Sequence, residues 1–489
     1  MNDKIKPITK LDEQIKRCEE GYLLFISHRL GIIATKQVRE LNKIVKEACQ
    51  KFNCNPAEYL SLLQKSTNSS PLLEHLVSGI TIGETYFFRD KYQMQILYEE
   101  VLPELIQKKR LEKQLNLRIW SAGCSSGEEI YTIAMMLEEL LPDINAWIIN
   151  LLATDININA MQKGIKGCFS DWSMRSINPD YLRKYFTQKD RSYILTPTLR
   201  ERVNFNYLNL KEDTYPSMFN STNAQDLIIC RNVMIYFDAN HIGKMMTKFA
   251  NCLTDKGYML LGASDPILID STGLINKNRH SLLQKTTVEK KEIIKPNITV
   301  SIKPKKVIRP LLAKPVINAD ILTPLKKGEW ETVLTLIKEK EIKEPKSGFV
   351  KSVKATALAN LGKLDLAIIS CKESLALDST NKYTHYTYAL ALLELNQVNE
   401  AETEFRKTIF LDRKLIVAHF QLGLLLMKKN QRENGLKTLK TALSIALSEP
   451  KDKTVPGSNG IAFGRFSEIL EQEINIYSIK HGESYANTN

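Results

Sequence analysis

The chain has 489 residues, of which 43% are hydrophobic and 25% charged, and its formal net charge is +13. That length exceeds what one hydrophobic core serves, and the balance is that of globular domains, which excludes fibrous, disordered and membrane-embedded classes. No apolar run approaches the roughly 20 residues that cross a bilayer, so a cytoplasmic protein is expected; its positive charge favours an acidic partner, although sign alone does not select which kind.

Residues 1–80 read as an all-helical domain. In its segment TKQVRELNKIVKEACQKF, Val38, Leu41, Val45, Ala48 and Phe52 share an apolar face at a 3.6-residue period. Lys36, Arg39, Lys43 and Lys46 line a second stripe. That stripe is either a solvated basic face or a docking surface for an acidic substrate.

Residues 81–288 alternate short apolar runs with helical stretches, the pattern of an α/β domain with a mostly parallel sheet. The strands are expected at Leu117 to Ala122, Trp147 to Thr154, Val203 to Leu208, Asp226 to Cys230 and Tyr258 to Leu261. The first runs through a small-residue loop, framed by Gly123 and Gly127, directly into a helix. Glycines there let a backbone approach a ligand, and the helix start offers free N–H groups. A phosphate-binding loop would need a lysine after the last glycine, whereas Glu128 and Glu129 follow, which suits a ligand carrying positive charge. Asp155 ends the next strand, either as the acid that holds a ribose or as a turn former.

A Lys/Pro-rich linker is expected over 289–318, leaving the C-terminal part free to move. In residues 319–450 Ala355, Ala389 and Gly423 are spaced by 34, as are Ala367, Ala401 and Gly435, and Leu377, Leu411 and Ile445. Thirty-four residues is the tetratricopeptide (TPR) period, with small residues where paired helices cross. Residues 451–489 read as a capping helix with a polar outer face, then a tail. The eight cysteines are scattered, with no CxxC pair and no nearby histidines, so neither structural metal nor a disulfide framework is expected.

Six strings taken in order resemble the chemotaxis receptor methyltransferase family, the CheR-type protein-glutamate O-methyltransferases. TIGETYFFRD is similar to its TxNxTxFFR motif, WSAGCSSGEEIYT to its loop-helix motif and LLATDI to its ribose strand; YLNL and LIICRNVMIYFD match later strands, and LTDKGYMLLGASD its closing strand. The resemblance covers about residues 15–285. It implies a helical N-terminal domain, a Rossmann-like class I methyltransferase domain with a small β-subdomain inserted near 169–202, and, with the repeats, a multidomain chain ending in an α-helical solenoid.

The resemblance further implies S-adenosylmethionine as cofactor, with S-adenosylhomocysteine as product, contacted by Gly83, Thr85, Arg89, Glu129, Asp155, Asn209, Leu210, Asn232 and Val233. Arg89 and Tyr236 would lie beside the transferred methyl. The substrate would be glutamate carboxylates in the cytoplasmic helices of chemoreceptors, so contact with a membrane would come only through receptors, and nucleic acid is not an expected partner. Gly83 stands where the family usually has Asn, and Ser126 where it has Thr. The insert lacks the glycine-rich turn with which some members hold a receptor's C-terminal pentapeptide, which leaves the Lys36, Arg39, Lys43 and Lys46 stripe as a docking candidate.

Two other readings stand beside this one: a degenerate methyltransferase fold serving as a TPR scaffold for an unidentified protein partner, and methylation of a different acceptor. Arg89 could instead form an interdomain salt bridge and Tyr236 a packing aromatic.

Overall fold

The structure is a computed structural model describing residues 10–33, 38–66, 70–81, 83–270, 272–277, 280–286, 321, 323–325, 328–458 and 460–479. The expected linker and the end of the tail lie outside them, as do the last of the α/β residues.

Four helices open the chain: α1 (Lys10–Leu30), α2 (Val38–Phe52), α3 (Pro56–Lys65) and α4 (Pro71–Ile80). Asn55 starts α3 by accepting from the amides of Ala57 and Glu58, both at 3.0 Å, with proline in the first turn. Leu41, Val45 and Ala48 of the apolar face expected on α2 are fully buried, and Ile44 extends that face.

A seven-stranded sheet comes next, in the order β6-β2-β1-β7-β8-β10-β9. The strands are β1 (Asn116–Ala122), β2 (Ile148–Asp155), β6 (Val203–Tyr207), β7 (Gln225–Cys230), β8 (Leu253–Leu261), β9 (Leu274–Asn276) and β10 (Leu282–Lys285). The five from β6 to β8 are parallel, while β10 and β9 run antiparallel as an edge hairpin. Because side chains alternate across a strand, Ile119 and Leu227 pack into one core while Trp120 and Ile228 pack into another on the opposite face.

The helices of this part are α5 (Lys91–Ile96), α6 (Leu102–Leu111), α7 (Glu128–Leu140), α8 (Ile158–Lys166) and α12 (Ala239–Cys252). Between α8 and β6 a small sheet of β3 (Cys168–Ser170), β4 (Phe186–Lys189) and β5 (Ser192–Leu195) is accompanied by α9 (Asp171–Met174), α10 (Pro179–Tyr185) and α11 (Pro197–Glu201). Phe87, just ahead of α5, meets Phe169 and Phe186 of this insert edge-on at 4.9 and 5.1 Å. One aromatic of the Phe-Phe pair therefore fastens the insert to the sheet.

The C-terminal part stacks α13 (Trp330–Lys343), α14 (Gly348–Asn360), α15 (Leu364–Leu377), α16 (Lys382–Glu394), α17 (Val398–Leu411), α18 (Ile416–Lys428), α19 (Arg432–Leu447) and α20 (Phe463–Ile479). Three hairpins, α14/α15, α16/α17 and α18/α19, carry the 34-residue period. Small residues sit where the period puts them: Ala355, Ala367, Ala389 and Ala401 are fully buried. In the third hairpin a Cβ added to Gly423 would stand 2.7 Å from the Leu439 side chain, and one on Gly435 would stand 2.5 Å from Met427 Sδ.

The expected freedom of the repeats is corrected by how they pack. The segment between β6 and β7 lies on the first helices of the first and third hairpins, and β1 reaches the first helix of the second. Phe219 stacks on Phe420 of α18 at 4.9 Å and meets Phe466 of α20 at a tilt at 5.2 Å. The Met218 amide donates to Asn360 Oδ1 at 3.2 Å, Gln421 Nε2 donates to the Phe219 carbonyl at 2.8 Å, and Arg118 of β1 pairs with Glu394 of α16. The last helix differs from expectation too, because its outer side, with Arg465, is packed against the sheet part instead of facing water.

Candidate active site

The carboxyl ends of the parallel strands, where α/β sheets bind ligands, come together with the end of α1 and the segment before α5. At the end of β1 the chain turns through Gly123, whose φ is +80°. A Cβ there would stand 2.4 Å from Val233 Cγ2, so only glycine lets the two loops approach this closely. The amides of Gly123 and Cys124 donate to the Thr154 carbonyl at 2.8 and 3.0 Å, which locks the loop to the end of β2.

Asp155, at the end of β2, accepts from the amides of Ser125 at 2.7 Å and Asn157 at 2.8 Å. Burial raises its pKa, and the backbone bonds pull the other way. Glu129, in the first turn of α7, accepts from Ser121 Oγ at 2.6 Å and pairs with Arg231 Nη1 at 3.2 Å. Glu128 does not share the site expected for both glutamates. It is 2% exposed and accepts from Ser126 and Ser173, so it ties α7 to the insert, and burial raises its pKa.

Gly83, Thr85, Arg89, Glu129, Asp155, Asn209, Leu210, Asn232, Val233 and Tyr236 all line one cavity of about 300 Å³. Leu30, Ile32 and Thr81 close it from the helical part. The Arg89 guanidinium donates to the Glu84 carbonyl and, among the described residues, forms no salt bridge. Burial raises the Tyr236 pKa and the Arg89 charge acts against that shift, so the phenol stays neutral beside a cation. Its carbonyl accepts from the Ile33 amide at 2.7 Å, fastening the chain after α1 to the site.

Three residues essential to this geometry, Gln93, Arg231 and Asp265, were given no role by the sequence reading. Arg231, 8% exposed, donates to Gln93 Oε1 at 2.8 Å and to the Arg89 carbonyl at 2.6 Å as well as to Glu129. It thereby joins the segment before α5 to the loop-helix turn. Asp265 accepts from the amides of Asn232 at 2.5 Å and Gly262 at 2.8 Å, holding Asn232 at a φ of +59°. A lone arginine closing the apolar run LIIC was the available signal, because arginine is seldom buried unless paired.

Of the basic stripe, Lys36 and the Arg39 side chain lie outside the described residues. Lys43 is exposed beside Glu47 at 3.8 Å, and Lys46 pairs with Asp12 of α1.

The cavity fits S-adenosylmethionine by its donor set. A buried carboxylate at a strand end suits a ribose diol, Leu208, Leu210 and Val233 provide apolar walls for a base, and Glu129, paired with Arg231, presents carboxylate oxygens that accept from a ligand's amino group. Over 266 residues the chain is 39% identical to the chemotaxis protein methyltransferase of Borreliella burgdorferi, covering 53% of this chain and 89% of that protein. The chain belongs to the chemotaxis protein methyltransferase family.

The family profile "CheR methyltransferase, SAM binding domain" matches residues 83–280. Chemotaxis protein methyltransferase 1 of Pseudomonas aeruginosa is 32% identical over 256 residues, 51% of this chain and 89% of that one. Among solved structures, YrrB, described as a TPR protein with an unusual peptide-binding site, covers 26% of this chain and 66% of its own at 17% identity and a TM-score of 0.24. That likeness is too slight to carry an argument, and the repeat architecture rests on the helix pairing above. Membership in the family makes the chain an S-adenosylmethionine-dependent methyltransferase.

Proposed function

We propose that the chain esterifies glutamate side chains in the cytoplasmic helices of chemoreceptors, and that Arg89 and Tyr236 receive the acceptor carboxylate. The observation that carries this is the pairing of a guanidinium with a neutral phenol on the wall of the cofactor cavity, where a carboxylate is the natural guest. A glutamate with a reference pKa near 4.3 is already ionised at neutral pH, so no general base is needed.

Gly83, Thr85, Glu129, Asp155, Asn209, Leu210, Asn232 and Val233 hold the cofactor, with Asp155 on the ribose and Leu210 and Val233 against the base. Bound S-adenosylmethionine supplies an electrophilic methyl on sulfur and is left as the neutral thioether S-adenosylhomocysteine. Arg89 turns its guanidinium from the Glu84 carbonyl to the incoming carboxylate, and Tyr236 donates a hydrogen bond that fixes one oxygen in line. Leu30 and Ile32 help to exclude water from the nucleophile. No proton changes hands in the transfer.

Exposed Lys43 is the clearest remaining docking cation for an acidic receptor surface, with Lys46 already engaged by Asp12. The enzyme is placed in the cytoplasm, where such receptor helices lie; among the described residues no helix is long and apolar enough to cross a membrane. The repeats act as a protein-interaction module whose first-helix face already holds the loop around Phe219. An external partner must displace that loop or use another face.

Incubation with radiolabelled S-adenosylmethionine and receptor-containing membranes tests the reading. Label should enter protein, leave as methanol in mild base, and be lost in Arg89→Ala. Cofactor binding without protein labelling would point to another acceptor, and absence of cofactor binding to a scaffold.

A further inference from the structure

Leu208, Asn209 and Leu210 form one wall of the cofactor cavity just beyond β6, which ends at Tyr207; the Leu208 amide still donates to the Asp155 carbonyl of β2 at 3.2 Å, and after it the chain leaves the sheet in a loop that runs to Asp213. The loop closes on itself through Asp213. Its Oδ2 accepts from the Asn209 amide at 2.6 Å, and its own amide donates to the Asn209 carbonyl at 2.9 Å. The same carboxylate is gripped from behind by Arg465 of α20, whose Nε and Nη2 reach Oδ1 and Oδ2 at 2.8 and 2.9 Å. The two side chains are only 8% and 15% exposed. The guanidinium lies over the Tyr207 ring, 5.1 Å from its centroid, so both its charge and its plane are fixed.

The neighbouring cations do not duplicate this grip. Lys248 reaches the Asp213 backbone carbonyl at 3.1 Å, and Lys211 reaches back to the Ser27 and His28 carbonyls of α1 at 3.1 and 2.5 Å. Arg465 also pairs with Glu468 at 2.9 Å, and Glu468 pairs with Arg29 of α1 at 3.3 Å. Leu30 and Ile32, immediately beyond Arg29, line the same cavity. One turn of the last helix thus reaches two cavity walls from the side away from the ligand.

We propose that Arg465 is a positioning residue for the cofactor: the C-terminal helix of the repeat part holds the Asn209–Asp213 loop in its binding shape, so the repeats form part of the cofactor site and do more than tether it. The inference rests on the assignment of the cavity to S-adenosylmethionine. Without the arginine, the Asp213 carboxylate is buried with no cation at its oxygens, and it turns toward water, releasing the Asn209 amide. Asn209 and Leu210 then lose their fixed place.

Calorimetric titration of the full-length protein with S-adenosylhomocysteine, with thermal unfolding recorded in parallel, tests this. Arg465→Met and Asp213→Asn should each weaken binding by about tenfold in protein that is still folded, and Arg465→Lys should recover part of the loss. The KM for S-adenosylmethionine should rise while kcat at saturation holds. Glu394→Gln, which disturbs the same interface away from the cavity, should bind as the wild type does. Wild-type affinity in folded Arg465→Met or Asp213→Asn, even with a lowered melting temperature, would overturn the positioning role. Equal weakening in Glu394→Gln would overturn it too, since docking in general would then be the cause. A wild type that binds no S-adenosylhomocysteine would instead refute the cofactor site itself.

Discussion

At the scale of single residues, the site depends on buried charges whose partners are fixed. Asp155 accepts one backbone amide on each carboxylate oxygen, so Asp155→Asn must face one of those N–H groups with its own NH2; it should lower stability and weaken S-adenosylhomocysteine binding, the latter by about 1.5–3 kcal/mol in a calorimetric titration. Arg231 is different, because its side chain is 4% exposed and neutralises Glu129. Arg231→Met should leave that carboxylate unpaired and lower stability in denaturant titration by about 3–5 kcal/mol, and Glu129→Gln in the same chain should restore part of it. The sequence showed the acids and the glycines because each stands at a strand end or in a tight turn, positions visible in local pattern. It concealed the roles of Arg231 and Asp265, since both act through partners far away along the chain, and it made Glu128 and Glu129 equivalent although one helical step turns them to different neighbours.

At the scale of elements, the places of the five parallel strands and of the repeat helices followed from apolar runs and from the 34-residue period, both of them local signals, whereas the order of the strands in the sheet and its β9/β10 edge hairpin did not. A repeat-internal pair adds a pH dependence. His385 faces Glu404 at 2.5 Å from Nδ1 and the Ser379 carbonyl at 3.1 Å from Nε2, and the Glu404 bond raises its pKa above the ordinary 6.5. Its stabilisation is therefore complete below 6.5 and is lost as pH rises through the higher folded value. Burial acts upward on Glu404, yet bonds from His385 and Lys407 hold it below its ordinary 4.5, so its contribution is present above 4.5 and fades as pH falls through the lower folded value. Denaturant midpoints of the repeat part should therefore fall on the alkaline side, and His385→Gln should flatten that limb. An unchanged slope would mean the imidazole is neutral in the folded chain.

At the scale of the whole molecule, the docking of repeats on the sheet part was illegible in sequence. Its residues, among them Arg118, Phe219, Glu394, Phe420 and Arg465, are scattered and share no period, and YPSMFNSTNAQ reads as an ordinary loop. Phe219 is the central apolar anchor, so Phe219→Ala should remove about 3–5 kcal/mol from the interface and increase the radius of gyration measured by small-angle scattering. An unchanged radius would show that the polar pairs alone hold the two parts together.

The central claim, that the Arg89 and Tyr236 cavity methylates receptor glutamates, is tested most directly by mapping the product. Full-length protein, S-adenosylmethionine and a chemoreceptor cytoplasmic fragment would be incubated, digested and sequenced by mass spectrometry. The prediction is a single-methyl increment on glutamate side chains, erased by mild base, and absent with Arg89→Ala even at saturating S-adenosylmethionine. Methylation at another side chain, or glutamate esters formed equally well by Arg89→Ala, would contradict the account.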